Sequence, residues 1–397
     1  MKTTSVSINP ELLIELKSLT GMQSYNKIIE LCIRAYLVCK KEPQASLWEL
    51  STFVSDAKRR NCPKSNVKFT IPEEILAEFE QKLSYLHTRS SKVEQSLIDF
   101  IHAFETGNLK RPIQLLGSKW SKKMQEAILN VLDGRNYDTV VETCAGALGI
   151  FCCLPSFGQT VLNDIDIDKI CLYTELQKNR GNLLLDFLRL PISENRALEC
   201  QKNLKKLKKT VAETSFSVSP QLRHQIALDF LFSNYFIAPR HAQSALLRTP
   251  PSLEYLASLF KIAKKLQGVR FKNLNLLTLV PKFNKSKTLI ICDPPYPFTD
   301  VYADNLSLHD HQKLAKMLRA SRSDFIYFCR TTEHISGKPV KTSKLDAFLY
   351  DMFASCGCFF QDIETPHGIE RIITNFSFAG GTPFAFPVHV DGGKDGE

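Results

Sequence analysis

The chain lacks any apolar run approaching the roughly eighteen residues that a membrane span needs. Its opening stretch, MKTTSVSINPELL, has no apolar core of signal-peptide length either, so a cytoplasmic protein is expected, with no membrane partner. Paired cysteine motifs are also missing. The 12 cysteines are irregularly spaced, several sit inside apolar runs, and none forms a CxxC pair. They read as small buried hydrophobes in a reducing compartment, and no zinc site is expected. What remains is a soluble globular composition, 44% hydrophobic and 23% charged, over 397 residues. That length exceeds one ordinary core and calls for two or three domains. The net charge of +10 favours polyanionic partners.

The first hundred residues repeat themselves. VSINPELLIEL, from Val6 to Leu16, resembles FTIPEEILAEF, from Phe69 to Phe79. Each copy opens with a short alternating stretch and meets a proline at a helix start, where the missing N–H costs nothing. In the first copy Leu12, Leu13, Leu16 and Leu19 form a helical stripe that Gly21 stops; Ser24 then caps a second helix bearing Ile28, Leu31, Cys32, Ala35 and Tyr36. The second copy repeats the pattern with Ile75, Leu76, Phe79 and Leu83, then Val93, Leu97, Ile98 and Ile101. Alternation turns Val6, Ile8, Val67, Phe69 and Ile71 inward, leaving Ser5, Ser7, Lys68 and Thr70 outward.

From Arg111 onward, helical stripes alternate with short apolar runs, as in an α/β domain on a parallel sheet. DTVVETCAG reads as a strand breaking into a small-residue loop, and TVLNDIDIDKICLY as a second strand ending in acids. That order suits a nucleotide-type cofactor, whose ribose hydroxyls a carboxylate would accept. Asp164, Asp166, Asp168 and Glu175 also fall at calcium-loop spacing, but Lys169 stands where that loop's turn needs glycine, so no metal is expected. His309 and His311, two apart on a helix, share no face, and a helix capped by Ser307 is expected there.

TLIICDPPY reads as a buried central strand whose C-terminal end delivers Asp293 into the cofactor crevice. Pro294 and Pro295 then fix the chain. The Asp293 carboxylate and the Pro294 carbonyl can accept both hydrogens of an exocyclic amine, while Tyr296 offers a face for stacking a base. Adenine N6 and cytosine N4 both fit such a site. Cys292 alternates away from it and is not expected to act as a nucleophile.

Taken in order, QLLGSK (Gln114 to Lys119), ETCAGALGIF (Glu142 to Phe151), NDIDIDKICLY (Asn163 to Tyr173) and DPPY resemble the motifs of Dam-type DNA adenine N6-methyltransferases. ALDFLFSNYF, YADNLSLHDHQKLAKML and ERIITNFSF add to a resemblance covering about residues 112–378. It departs at the loop, where Ala147 and Leu148 replace further glycines, and at Leu115, where a tryptophan is common. The resemblance implies S-adenosylmethionine as cofactor. Lys119 would meet the methionine carboxylate, Glu142 the amino group or a water, and Asp164 the ribose, with Leu115, Gly117, Gly146 and Asp293 completing the cofactor site. Asp293, Pro294, Pro295 and Tyr296 would be catalytic, and no metal is required. The two N-terminal repeats are similar to ribbon-helix-helix modules, which as dimers place paired strands in the major groove, so Ser5, Ser7, Lys68 and Thr70 would face double-stranded DNA.

The fold class that follows is α/β: a class I methyltransferase Rossmann-like sheet with an inserted, mostly helical target-recognition domain, preceded by tandem ribbon-helix-helix-like units. The expected boundaries are units at 1–40 and 66–106 joined by a linker at 41–65, and a cofactor-binding part at 107–180. A target-recognition insertion at 181–275, a catalytic part at 276–380 and a tail at 381–397 complete the chain. The expected activity is site-specific methylation of adenine N6 in duplex DNA by a nucleoid-associated protein, with oligomerisation through the N-terminal region an open possibility. Methylation of cytosine N4 or of RNA adenine, and a DNA-binding regulator with a degenerate methylase domain, are the alternatives.

Overall fold

The computed structural model describes residues 1–38, 63–113, 115, 118–214, 218–237, 249–298, 305–335, 338–341, 343–354, 357–365 and 368–384. It divides into two compact units: Met1–Gly117 with Ile167–Gln267, and Ser118–Asp166 with Gly268–Glu397. Among the described residues no helix is long and apolar enough to cross a membrane.

In the first unit, β1 (Lys2–Ile8) pairs antiparallel with β2 (Ser65–Ile71), with Val6 opposite Val67 and Ser5 opposite Lys68. Val6, Ile8, Phe69 and Ile71 are buried, Val67 half-buried, as the alternation requires. Each strand leads into two helices: Pro10–Thr20 and Tyr25–Val38 after β1, Glu73–Lys82 and Arg89–Thr106 after β2. The Asn9 side chain accepts from the Glu11 amide at the start of the first helix. Gly21, at φ 71°, ends it in the left-handed region that glycine tolerates.

Among the described residues four more helices belong to this unit: Ile167–Arg189, Glu194–Thr214, Pro220–Phe236 and Leu253–Lys265. The expected boundaries separated residues 66–106 from an insertion beginning at 181; the structure joins them and runs one helix, kinked at Asn179, across position 180. Side chains far apart in sequence make the join. Glu30, almost fully buried, accepts from Arg34 at 2.9 Å and from Arg189 at 2.7 Å. Gly181 lies so close to the first helix that a Cβ there would meet Met22 Cγ at 2.3 Å and the Thr20 carbonyl oxygen at 2.7 Å. Phe100 and Phe260 meet edge to face at 5.6 Å. Along Glu194–Thr214, Leu204 is buried while Lys202, Lys205, Lys206 and Lys209 face solvent.

The second unit is mixed α/β. Its strands are β3 (Thr139–Glu142), β4 (Gln159–Asn163), β5 (Arg270–Lys272), β6 (Thr288–Cys292), β7 (Asp324–Arg330), β8 (Thr332–Ile335), β9 (Lys338–Lys341), β10 (Phe359–Thr365), β11 (Gly368–Thr374) and β12 (Thr382–Pro383). Eight of them form one sheet in the order β12-β10-β11-β7-β6-β3-β4-β5, while β8 and β9 pair separately. From β5 to β7 all neighbours are parallel; β11 runs antiparallel to β7 and β10. Strand β6 lies inside the sheet with all five residues buried, which explains its unbroken apolar run. Its residues alternate between two cores. Leu289 and Ile291 join Met124, Ile128 and Val131 of helix Lys122–Val131, with Val140, Phe328 and Ile372. Ile290 and Cys292 join Leu314 and Leu318 of helix Leu308–Arg319 and Phe353 of helix Ser343–Phe353.

Candidate active site

Strand order reverses between β3 and β6: the chain builds outward from β3 through β4 to β5, then returns to the other side of β3 with β6 and β7. In open α/β sheets the crevice outside the strand ends at such a point is where ligands sit. Period-two alternation decides what reaches it. Glu142 shares a face with Val140, Asp293 with Ile291, and Glu370 of β11 with Ile372, all on the side covered by helix Lys122–Val131. Cys292 points to the opposite core, where burial pushes its thiol up to about 12, so it stays protonated.

Lys119 lies just before that helix, which Ser121 caps. Its side chain is only 3% exposed, and its ammonium donates to Asp293 Oδ1 at 2.8 Å, Asp293 Oδ2 at 3.0 Å and the Tyr296 hydroxyl at 2.6 Å. The Glu370 carboxylate lies 3.6 Å from the same nitrogen. The Tyr296 hydroxyl in turn donates to Glu370 Oε2. Arg330, directly across from Glu370 on β7, reaches Oε1 at 3.5 Å. Burial raises the Asp293 carboxyl above its ordinary range, Lys119 pulls it back, and Glu370 adds to the rise. Burial, then the charges of Asp293 and Glu370, push the Tyr296 phenol far up, so it remains a donor. Pro294 is buried and Pro295 half-buried.

Beyond β3 the chain turns through Thr143 to Leu148 into the short helix Gly149–Cys153. The Gly146 amide donates to Asp164 Oδ2 at 2.9 Å, and the Asp166 amide to Oδ1 at 3.0 Å. Asn163 ties the loop to β5's far side, donating to the carbonyls of Thr143 and Leu274. Leu148 takes a left-handed conformation, φ 61°, with its side chain wholly buried, so its bulk is directed into the core. A Cβ on Gly149 would stand 2.9 Å from the Lys119 carbonyl carbon, a close approach that only glycine allows. The Trp120 indole donates to the Ala147 carbonyl at 2.8 Å, a second tie between the two segments. Glu142 is 2% exposed, and its Oε2 has no hydrogen-bond partner among the described residues. Burial, with Asp293 and Asp164 nearby, drives its carboxyl well above the ordinary range.

The second unit thus gathers Lys119, Glu142, Gly146, Asp164, Asp293, Pro294, Pro295 and Tyr296. Leu115 is half-buried in the first unit, and Gly117 lies outside the described residues. Asp168 and Glu175 also belong to the first unit, where Asp168 pairs with Lys208 and Glu175 with Arg223 and His224. On the strand pair, Ser5 and Lys68 are exposed while Ser7 and Thr70 are half-buried. Thr3 and Asn66 are exposed on the same pair, and the Thr3 and Thr70 hydroxyls lie 3.0 Å apart.

Sequence reasoning gave no site role to Glu370 or Arg330, and set His311 aside with His309 as a helix-start residue. The signals for Glu370 were its place at the head of ERIITNFSF and its charge, beside Arg371, in the isoleucine-rich run GIERIIT. His311 follows the capping pair Ser307 and Asp310 and is fully buried, its Nδ1 2.8 Å from the Tyr327 hydroxyl. Burial lowers its imidazole to about 4, so it is neutral.

No family model and no curated protein matches the chain. Among solved structures it is similar to "Putative methyltransferase yhhF from Escherichia coli", at 10% identity and a TM-score of 0.26, over 67% of this chain and 98% of that one. A likeness that slight assigns neither fold nor activity.

Proposed function

We propose that the chain is an S-adenosylmethionine-dependent methyltransferase that modifies adenine N6 in double-stranded DNA. One observation carries the reading: a buried central strand ends at the switch point of a mostly parallel sheet and presents Asp293 there, braced by Lys119 and flanked by Tyr296. The residues fit the cofactor. The unpartnered, buried Oε2 of Glu142 suits an ammonium group such as that of the methionine moiety. Asp164, at the end of β4, is placed for ribose hydroxyls. S-adenosylmethionine, when bound, supplies an electrophilic methyl group on a sulfonium.

The protein's own part is positioning. The lone pair of adenine N6 is delocalised into the ring; acceptors at Asp293 and the Pro294 carbonyl draw the amine toward tetrahedral geometry and make that pair available. As the new N–C bond forms at the expense of the methyl–sulfur bond, whose electron pair stays on sulfur, one amine proton must leave. Asp293, whose carboxyl burial lifts above the usual range, is placed to take it. Lys119, expected to meet the methionine carboxylate, here donates to both oxygens of Asp293 and keeps it oriented. Because the target atom lies inside a duplex, the base has to be extruded, and the Tyr296 ring gives it a stacking face.

The strand pair supports DNA as partner. Two strand–helix–helix repeats pair their strands within one chain, as a ribbon-helix-helix dimer does between chains, with Ser5, Ser7, Lys68 and Thr70 as the proposed base readers. The test uses purified full-length protein, methyl-labelled cofactor and unmethylated plasmid DNA, with nucleosides analysed by mass spectrometry. N6-methyladenine is expected, and Asp293→Ala should slow its formation at least ~100-fold, the scale for losing a preorganised polar partner. Methylcytosine as the product, transfer only to RNA, or wild-type turnover in Asp293→Ala would each refute the reading.

A further inference from the structure

Glu370 is a carboxylate on an inner strand, beside three isoleucines and Arg371, and is 5% exposed. Burying such a group is unfavourable unless its partners hold it. Among the described residues its partners lie at the proposed active site: the Tyr296 hydroxyl, the Lys119 ammonium at 3.6 Å and Arg330 at 3.5 Å. Its neighbour Arg371 shows the contrast. Arg371 points to the other face and is matched by Asp362 and Asp346, away from every residue of the site.

We propose that Glu370 is a positioning residue of the methyl-transfer site, acting through the Tyr296 hydroxyl and seated by Arg330. The proposal rests on the methyltransferase reading above. A tyrosine used only as a stacking face would serve as well as phenylalanine; here the hydroxyl is engaged, so the ring is pinned at its far end as well as at Cα. A phenol carries one proton. The hydroxyl lies 3.4 Å from Asp293 Oδ1 but makes its close contact with Glu370. Donating its hydrogen bond to Glu370 leaves the Asp293 carboxylate, turned by Lys119, to accept from the incoming amine. Glu370 thereby separates two tasks that would otherwise compete for one carboxylate: holding the ring and holding the substrate.

The experiment is a double-mutant cycle on single-turnover methyl transfer to unmethylated plasmid DNA at saturating S-adenosylmethionine. Wild type, Glu370→Gln, Glu370→Ala, Tyr296→Phe and the Glu370→Ala/Tyr296→Phe double variant are run in parallel, each with a thermal melt. Glu370→Ala should be about ten- to a hundredfold slower, the range for losing a hydrogen bond to a charged group. Glu370→Gln, whose side-chain carbonyl still accepts from the phenol, should lose less. The double variant should be within about twofold of the slower single variant, because both changes remove the same contact. Effects that multiply, a Gln variant as slow as the Ala variant, or a Glu370→Ala rate equal to wild type would overturn the positioning role. Should Glu370→Ala not fold, the cycle is closed with Glu370→Gln, and the same non-additivity is required. A wild type that binds the cofactor but transfers no methyl group overturns the methyltransferase reading itself, an outcome distinct from an active wild type with multiplicative effects.

Discussion

Replacing Lys119 with methionine should expose how much one ammonium holds together. The side chain is 3% exposed and sits against Asp293, Tyr296 and Glu370; methionine fills similar volume without charge. Its removal takes from Asp293 the ammonium that bonds both its oxygens and leaves Glu370 with Arg330, 3.5 Å from its Oε1. Breaking a buried pair by deleting one partner costs about 3–5 kcal/mol, and the 18% exposure of Asp293 places the expected value at the low end, about 3 kcal/mol. The penalty should depend on pH. Asp293 already titrates above its unfolded value, and losing Lys119 raises it further. A carboxyl raised on folding opposes folding fully above its folded pKa and ceases to do so as pH falls toward the unfolded value near 3.9. The destabilisation should therefore be larger at pH 8 than at pH 5, by on the order of 1 kcal/mol. Urea unfolding followed by Trp120 fluorescence, with Trp48 replaced by phenylalanine, reads this unit because Trp120 bonds to the Ala147 carbonyl beside the site. A loss under about 1 kcal/mol, or one equal at both pH values, would show that Lys119 does not carry the charge balance of the cluster.

Asp164→Asn should weaken S-adenosylmethionine binding by on the order of 2 kcal/mol through lost charge-assisted bonds, while Asp168→Asn, at a position paired with Lys208 in the other unit, should change it little. Calorimetry checks this, and equal effects would refute the separation of roles. Alanine at Ser5, Ser7, Lys68 and Thr70 together should flatten discrimination between DNA sites, and the loss of Lys68 should reduce the salt slope of binding by about 0.9; a salt titration in which the variant matches wild type would remove the strand pair from the DNA interface. His224, between Asp186 at 3.1 Å and Glu175 at 3.0 Å, is raised to about 9 by those two hydrogen bonds. Its contribution, on the order of 2 kcal/mol given its partial exposure, should be complete below pH 6.5 and disappear as pH rises through 9. His224→Gln should abolish that dependence in urea unfolding of the first unit, and an unchanged pH profile would count against the assignment.

Much of the architecture was legible in short windows of sequence, because the forces behind it are local. TLIIC is buried on both faces and reads as an unbroken apolar run; the strands near Val6 and Phe69 have one face on a core and alternate. Helix starts at Asn9–Pro10 and Ser307 follow from side-chain capping within a few residues. The acid at the end of β6 was visible for the same reason: strand, acid and two prolines are contiguous. What contiguity does not carry is partnership. Nothing near Lys119 in the sequence announces Asp293, 174 positions away, as the group its ammonium holds. Glu370 stood in the sequence at the head of ERIITNFSF with no partner announced, and only the pairing of β11 with β7 and the burial of that face make it a partner of Tyr296. The domain boundary shows the same limit. Amphipathic periodicity says that a helix has an apolar face but not which helix covers it, so the expected break at 107 gave way to a unit in which Glu30 reaches Arg189 and Gly181 admits Met22. Sequence by itself determined the elements and the acid that ends the central strand; tertiary structure alone decided which charges share a buried site, since a buried charge is stabilised by whichever group the fold brings within a few ångströms, wherever that group lies in the chain.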